Sequence, residues 1–247
     1  MPSLSRRSFL GLGGAAAAAL LAACTRQTAL SPLDWKALPT QAPTPTLRGP
    51  EPLDATAALA RLLDGNRRFA AGALQHPDQT AGRRQMLSGQ QAPIAAVLTC
   101  ADSCVPPEVL FDQGLGDLLV VRTAGAILSD NLLGSIELAV DRQAVPLIVV
   151  LGHQRCAVVK AAVDSLSQSA TAPGHMAGLV EALRPAVTQA QPMGGDVVDN
   201  AIRAAVTLAQ NQLVSQSALL EQKVGNGMLK IVGAYANLDT GALEIVG

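Results

Sequence analysis

Two apolar, β-branched runs each stop at a cluster of metal-binding side chains, and this pairing restricts the fold more than any other feature. Residues 94–98 lead into Cys100-Ala101-Asp102-Ser103-Cys104, and residues 147–151 lead into His153-Gln154-Arg155-Cys156. Short apolar runs of this kind read as strands buried on both faces, as in parallel sheets. Two such strands side by side deliver Cys100 and His153 to one sheet edge, where open α/β sheets bind ligands. Two thiolates and one imidazole suit a tetrahedral zinc ion, and three protein ligands leave a fourth position for chemistry. Buried thiols are common in cores that hold no metal. Cys-x-Asp and His-x-x-Cys both at strand ends argue for ligation instead.

Elsewhere the pattern alternates between strand and helix. An Asp54 cap opens a helix with Ala58, Leu59, Leu62, Leu63 and Phe69 at helical spacing, and residues 65–69 are expected to interrupt its tail. A short helix is expected near residues 80–89. Pro106-Pro107 opens a helical turn through Phe111. Further strands are expected over 117–123, 146–153 and 228–236, and helices over 129–142, 156–166, 174–191 and 195–222. Residues 237–241 form a turn into a last short strand, 242–246. The expected architecture is one α/β domain over 53–247, a mainly parallel sheet flanked by helices with an antiparallel edge strand.

The N-terminal residues carry a different message. Ser5-Arg6-Arg7-Ser8-Phe9-Leu10 resembles a twin-arginine export signal, and the apolar stretch 11–23 is too short for a stable membrane span. It ends in Leu21-Ala22-Ala23-Cys24, which resembles a bacterial lipobox; lipid on Cys24 would then anchor the mature chain to a membrane. Residues 1–24 are therefore expected to be an address, and residues 25–52, with Pro32, Pro39, Pro43, Pro45, Pro50 and Pro52, a tether. This places the domain in the periplasm or on the cell surface. If Cys24 carries lipid, three of the four cysteines remain, all near the expected site, and no disulfide framework is implied. The net charge of −1 and an aromatic content of 2% leave neither a basic face nor a stacking platform for nucleic acid.

Over roughly residues 53–246 the chain resembles the β-class carbonic anhydrases. The matching stretches are Gly65-Asn66-Arg67-Arg68-Phe69, Gly89-Gln90-Gln91-Ala92-Pro93, Cys100-Ala101-Asp102-Ser103 and Val105-Pro106-Pro107-Glu108. They continue through Phe111-Asp112-Gln113-Gly114-Leu115-Gly116-Asp117-Leu118, Gly134-Ser135-Ile136-Glu137 and Gly152-His153-Gln154-Arg155-Cys156. The resemblance implies zinc held by Cys100, His153 and Cys156, and a homodimer or dimer of dimers with its sites near the subunit interface. It implies that Gln91 orients the substrate through its amide. It also implies that Asp102 accepts a hydrogen bond from the reacting water.

Three positions depart from the family pattern. Asp102 ordinarily pairs with an arginine two residues on, which keeps the carboxylate off the metal; here that position is Cys104, and a thiol has no forked cationic donor. Arg122 and Arg155 stand where family members already carry arginine and so do not replace it. Ala157 stands in place of the usual glycine after the zinc cysteine, and Ala126 in place of a polar residue. A carboxylate without its arginine has strong reason to coordinate the cation. Asp102 is therefore expected to close the fourth zinc position.

Two functions follow from these residues. One is zinc-dependent reversible hydration of carbon dioxide to bicarbonate, or hydrolysis of a sulfur analogue by the same nucleophile. The alternative is a catalytically silent zinc-binding relative that senses redox state through Cys104 or binds bicarbonate. His76 and His175 lie in polar or Gly/Pro-containing stretches and are expected to be exposed loop residues.

Overall fold

The computed structural model describes residues 53–89 and 91–246. The expected signal, lipobox and tether lie outside them. Five strands form one sheet in the order β2-β1-β3-β4-β5. They are β1 (Ala95–Cys100), β2 (Leu118–Thr123), β3 (Leu147–His153), β4 (Lys230–Ala236) and β5 (Leu243–Val246). β1 to β4 run parallel, and β5 lies antiparallel on β4. Every residue of β1 and β3 is buried, as their unbroken apolar runs require between two helical layers.

Eight helices accompany the strands among the described residues. They are α1 (Ala55–Ala70), α2 (Ala81–Leu87), α3 (Pro107–Leu110), α4 (Asp130–Arg142), α5 (Ala157–Ser167), α6 (Met176–Ala190), α7 (Val197–Ser215) and α8 (Ala218–Gly225). Side-chain alternation along β1 sorts the two faces. Ala96 and Leu98 pack with Ile136 of α4, Leu213 of α7 and Leu220 of α8. Ala95 and Val97 pack with Ala58 and Leu62 of α1 and with Phe111. A third cluster joins Cys100 and Cys156 to Val159 of α5, Leu183 of α6 and Ile202 of α7. Among the described residues no helix is long and apolar enough to cross a membrane.

Two expectations need correction. Residues 65–69 do not interrupt the first helix, which runs unbroken to Ala70. Gly65 is there for close packing: a Cβ would overlap the Phe111 carbonyl. Asn66 uses its amide between elements, donating to Leu110 O and Gly241 O and accepting from Leu243 N. The stretch 195–222 is two helices, because the Ser217 hydroxyl accepts from Leu220 N and caps α8 after α7 has ended.

Candidate metal centre

The parallel register brings the site together. Thr99 pairs with Leu151, Cys100 with Thr123 and His153 with Ala236, so the strands end side by side. Cys100 is the last residue of β1 and His153 the last of β3. Cys156 sits at the cap of α5, where the amides of Val158 and Val159 face its sulfur. Asp102 follows β1 in a loop. One ligand atom from each of Cys100, Asp102, His153 and Cys156 lies within 4.8 Å of all the others.

These spacings fit one tetrahedral ion. Two sulfurs at ~2.3 Å from such a centre stand about 3.8 Å apart, and Cys100 Sγ and Cys156 Sγ are separated by 3.8 Å. A nitrogen and an oxygen at ~2.05 Å stand about 3.4 Å apart; His153 Nε2 and Asp102 Oδ2 are separated by 3.4 Å. His153 Nε2 is buried with no hydrogen-bond partner among the described residues. Its other ring nitrogen, Nδ1, lies 3.1 Å from the Gln154 carbonyl. Donation from Nδ1–H to that oxygen leaves the Nε2 lone pair directed into the site.

The two thiols compete for one proton. A hydrogen bond from Cys156 holds the Cys100 thiol down at about 3 against the effect of burial, with help from His153 and the Asp102 and Gly125 backbones. Cys156 is pushed far up by Cys100 and by burial. Two anions so close together in the core cannot both persist unaided, and a divalent cation removes that conflict. A cavity of about 20 Å³ is lined by Cys100, His153 and Cys156 together with Gly125, Ile202 and Val206.

Sequence reasoning missed two backbone contacts here. Gly125 N donates to Cys100 Sγ at 3.4 Å, from a left-handed conformation of φ 72° that favours glycine. The signal was the Ala-Gly pair directly after β2. The second is Arg122, whose Nε donates to Cys100 O at 3.0 Å and whose Nη2 donates to Asp102 O. It therefore braces the ligand loop through its main chain. Among the described residues no arginine pairs with the Asp102 carboxylate, and Arg155 pairs with Asp239 instead.

The other expected residues fall as follows. Cys104 is exposed and its sulfur lies 4.0 Å from His153 Nδ1. Burial, then the Asp102 charge, pushes its thiol up. A cavity of about 260 Å³ adjoins it, bounded by Phe69, Leu110, Leu238 and Gly241. Ala126 lines the small cavity and Ala157 begins α5. His76 and His175 are exposed. Gln91 is exposed and precedes the start of β1, whereas Cys100 ends it. At ~3.3 Å per residue the strand between them spans about 16 Å.

Residues 95–243 match the family model described as carbonic anhydrase. The chain is 41% identical over 185 residues to "Carbonic anhydrase 2" of Mycobacterium tuberculosis, covering 75% of this chain and 89% of that protein. It is 42% identical over 189 residues to a carbonic anhydrase of Mycolicibacterium smegmatis, covering 76% and 92%. The fold matches the Coccomyxa β-carbonic anhydrase solved with acetazolamide, with a TM-score of 0.58 at 23% identity, covering 76% of this chain and 85% of that one. It also matches a tetrameric β-carbonic anhydrase of Sordaria macrospora, with a TM-score of 0.58 at 20% identity, covering 76% and 96%.

Proposed function

The chain belongs to the β-class carbonic anhydrase family, and we propose that it is an exported, membrane-anchored zinc enzyme that interconverts carbon dioxide and bicarbonate. The observation that carries this reading is the tetrahedral spacing of the Cys100, His153, Cys156 and Asp102 ligand atoms. A zinc ion bound there lowers the pKa of water to about 7 and so supplies hydroxide at neutral pH.

The chain's own residues supply the rest. Cys100 and Cys156 would hold the cation as thiolates, Gly125 N–H donates to the first of them, and the Gln154 carbonyl would fix the His153 tautomer. The Asp102 carboxylate is within ligand range of the same point and closes the fourth position at rest. In turnover it would withdraw and accept a hydrogen bond from the reacting water. Gln91 precedes β1 whereas Cys100 ends it, and its exposed amide would orient the substrate at the centre of a partner subunit in a homodimer or dimer of dimers. Arg6-Arg7 and Leu21-Ala22-Ala23-Cys24 support twin-arginine export and lipid anchoring through Cys24.

A stopped-flow hydration assay on the zinc-loaded chain tests this reading. Hydration should be catalysed by the wild type and lost in Cys100→Ala. A wild type that holds zinc but adds nothing to the uncatalysed rate would refute the proposal in favour of a silent zinc-binding relative. Carbonyl sulfide and carbon disulfide assayed in parallel separate hydration from hydrolysis of a sulfur analogue.

A further inference from the structure

Gln154 and Arg155, the two residues between the ligands His153 and Cys156, are tied to one carboxylate 84 residues beyond Arg155. Arg155 Nη1 donates to Asp239 Oδ2 at 3.0 Å and Nη2 donates to Oδ1 at 2.8 Å. Gln154 Nε2 donates to the same Oδ2 at 3.1 Å, and Gln154 Oε1 accepts from Leu238 N at 3.0 Å. The turn that presents Asp239 is itself closed, since Asn237 Oδ1 accepts from Asp239 N at 2.9 Å and Thr240 N at 3.0 Å.

Two features give this clamp a consequence for the metal centre. Arg155 is left-handed, with φ 56°, a conformation that a residue with a Cβ keeps only when its surroundings hold it there. This reversal is what lets His153 and Cys156 face one point from either side of a two-residue turn. The Gln154 carbonyl is the acceptor that orients the His153 ring, so whatever fixes the Gln154 peptide also fixes that ring. As an exposed ion pair, with side chains 59% and 60% accessible, Arg155–Asp239 adds little to global stability. Its effect is local.

We infer that Asp239 is a positioning residue for the metal centre, holding the His153–Cys156 turn in ligating geometry through Gln154 and Arg155. The inference rests on the zinc reading given above. The test is competition for zinc between the full-length chain and a chromophoric chelator, with thermal unfolding of the zinc-free protein measured beside it. Asp239→Ala should weaken zinc binding by about 10-fold or more, the usual scale for a lost outer partner of a ligand, with the zinc-free midpoint unchanged. Arg155→Gly accepts the left-handed conformation without strain, so adding Asp239→Ala to it should cost no more than about threefold, the coupling expected of contacting residues. Unchanged zinc binding in Asp239→Ala overturns the inference. A loss matched by a fall in the zinc-free midpoint, or a loss undiminished in the glycine background, overturns it equally. A wild type that fails to bind zinc is a separate result, and it refutes the metal centre itself.

Discussion

Replacing Cys104 with arginine tests whether a guanidinium at that position draws Asp102 away from the proposed metal. Cys104 is exposed and borders a cavity of about 260 Å³, so a longer side chain at that position is not confined to the core. A guanidinium ~4 Å from a carboxylate interacts by about 4 kcal/mol at an effective dielectric of 20. The Asp102 side chain is 31% exposed, and solvent screening reduces that figure. A surplus of ~1.4 kcal/mol is enough to shift the carboxylate tenfold towards the arginine. Cys104→Arg should therefore raise stopped-flow hydration by about 10-fold, within the range assigned to outer partners of a ligand. An X-ray absorption spectrum should show one protein oxygen replaced by water. Cys104→Ser should change little, since a hydroxyl brings no positive charge. A stable, zinc-loaded Cys104→Arg protein with unchanged rate and unchanged coordination would refute the reasoning.

Gly65→Ala should lower stability by more than ~2 kcal/mol in denaturant titrations, because the new Cβ overlaps the Phe111 carbonyl across a rigid helix contact. Asp112 is buried, which pushes its carboxyl up, but Arg68 and the amides of Gln75 and His76 outweigh burial and hold it below the usual carboxylate range. A folded pKa below the unfolded value means that the group stabilises above about pH 4 and that this is lost as pH falls through the folded value. Asp112→Asn should accordingly cost about 3 kcal/mol at pH 7, and its gap from wild type should narrow when melts are repeated near pH 3. Cys24→Ala should release the protein from membranes without altering its unfolding midpoint, and Arg6→Lys with Arg7→Lys should block export; fractionation of cells reads both, and unchanged membrane association of Cys24→Ala would contradict the lipid anchor.

The strand ends were legible in the sequence because chemistry and periodicity agreed there. Two apolar runs long enough for buried strands stop at Cys100 and His153, and the parallel register then leaves little freedom in where the side chains meet. The helix boundaries that misled were set by single contacts. Gly65 looks like a breaker in a linear pattern, yet it is required by a carbonyl of the α3 segment that no local rule reveals. The end of α7 depends on one Ser217 hydroxyl. At the site, the side chains that gather could be read from residue type, whereas the Gly125 amide, the Gln154 carbonyl and the Arg122 brace act on or through main-chain atoms common to every residue. Asp239 was illegible for another reason, since only the fold brings the 237–241 turn against the ligand loop.

The most direct test of the central claim is a zinc titration of the metal-free chain with carbon dioxide hydration as the readout. Hydration should rise linearly to a plateau at one zinc per chain, vanish on chelation and return when zinc is restored. Cys100→Ala, His153→Ala and Cys156→Ala should each stay at the uncatalysed rate across the same titration. Full hydration by metal-free protein, or a plateau unaffected by loss of Cys100, would contradict the account.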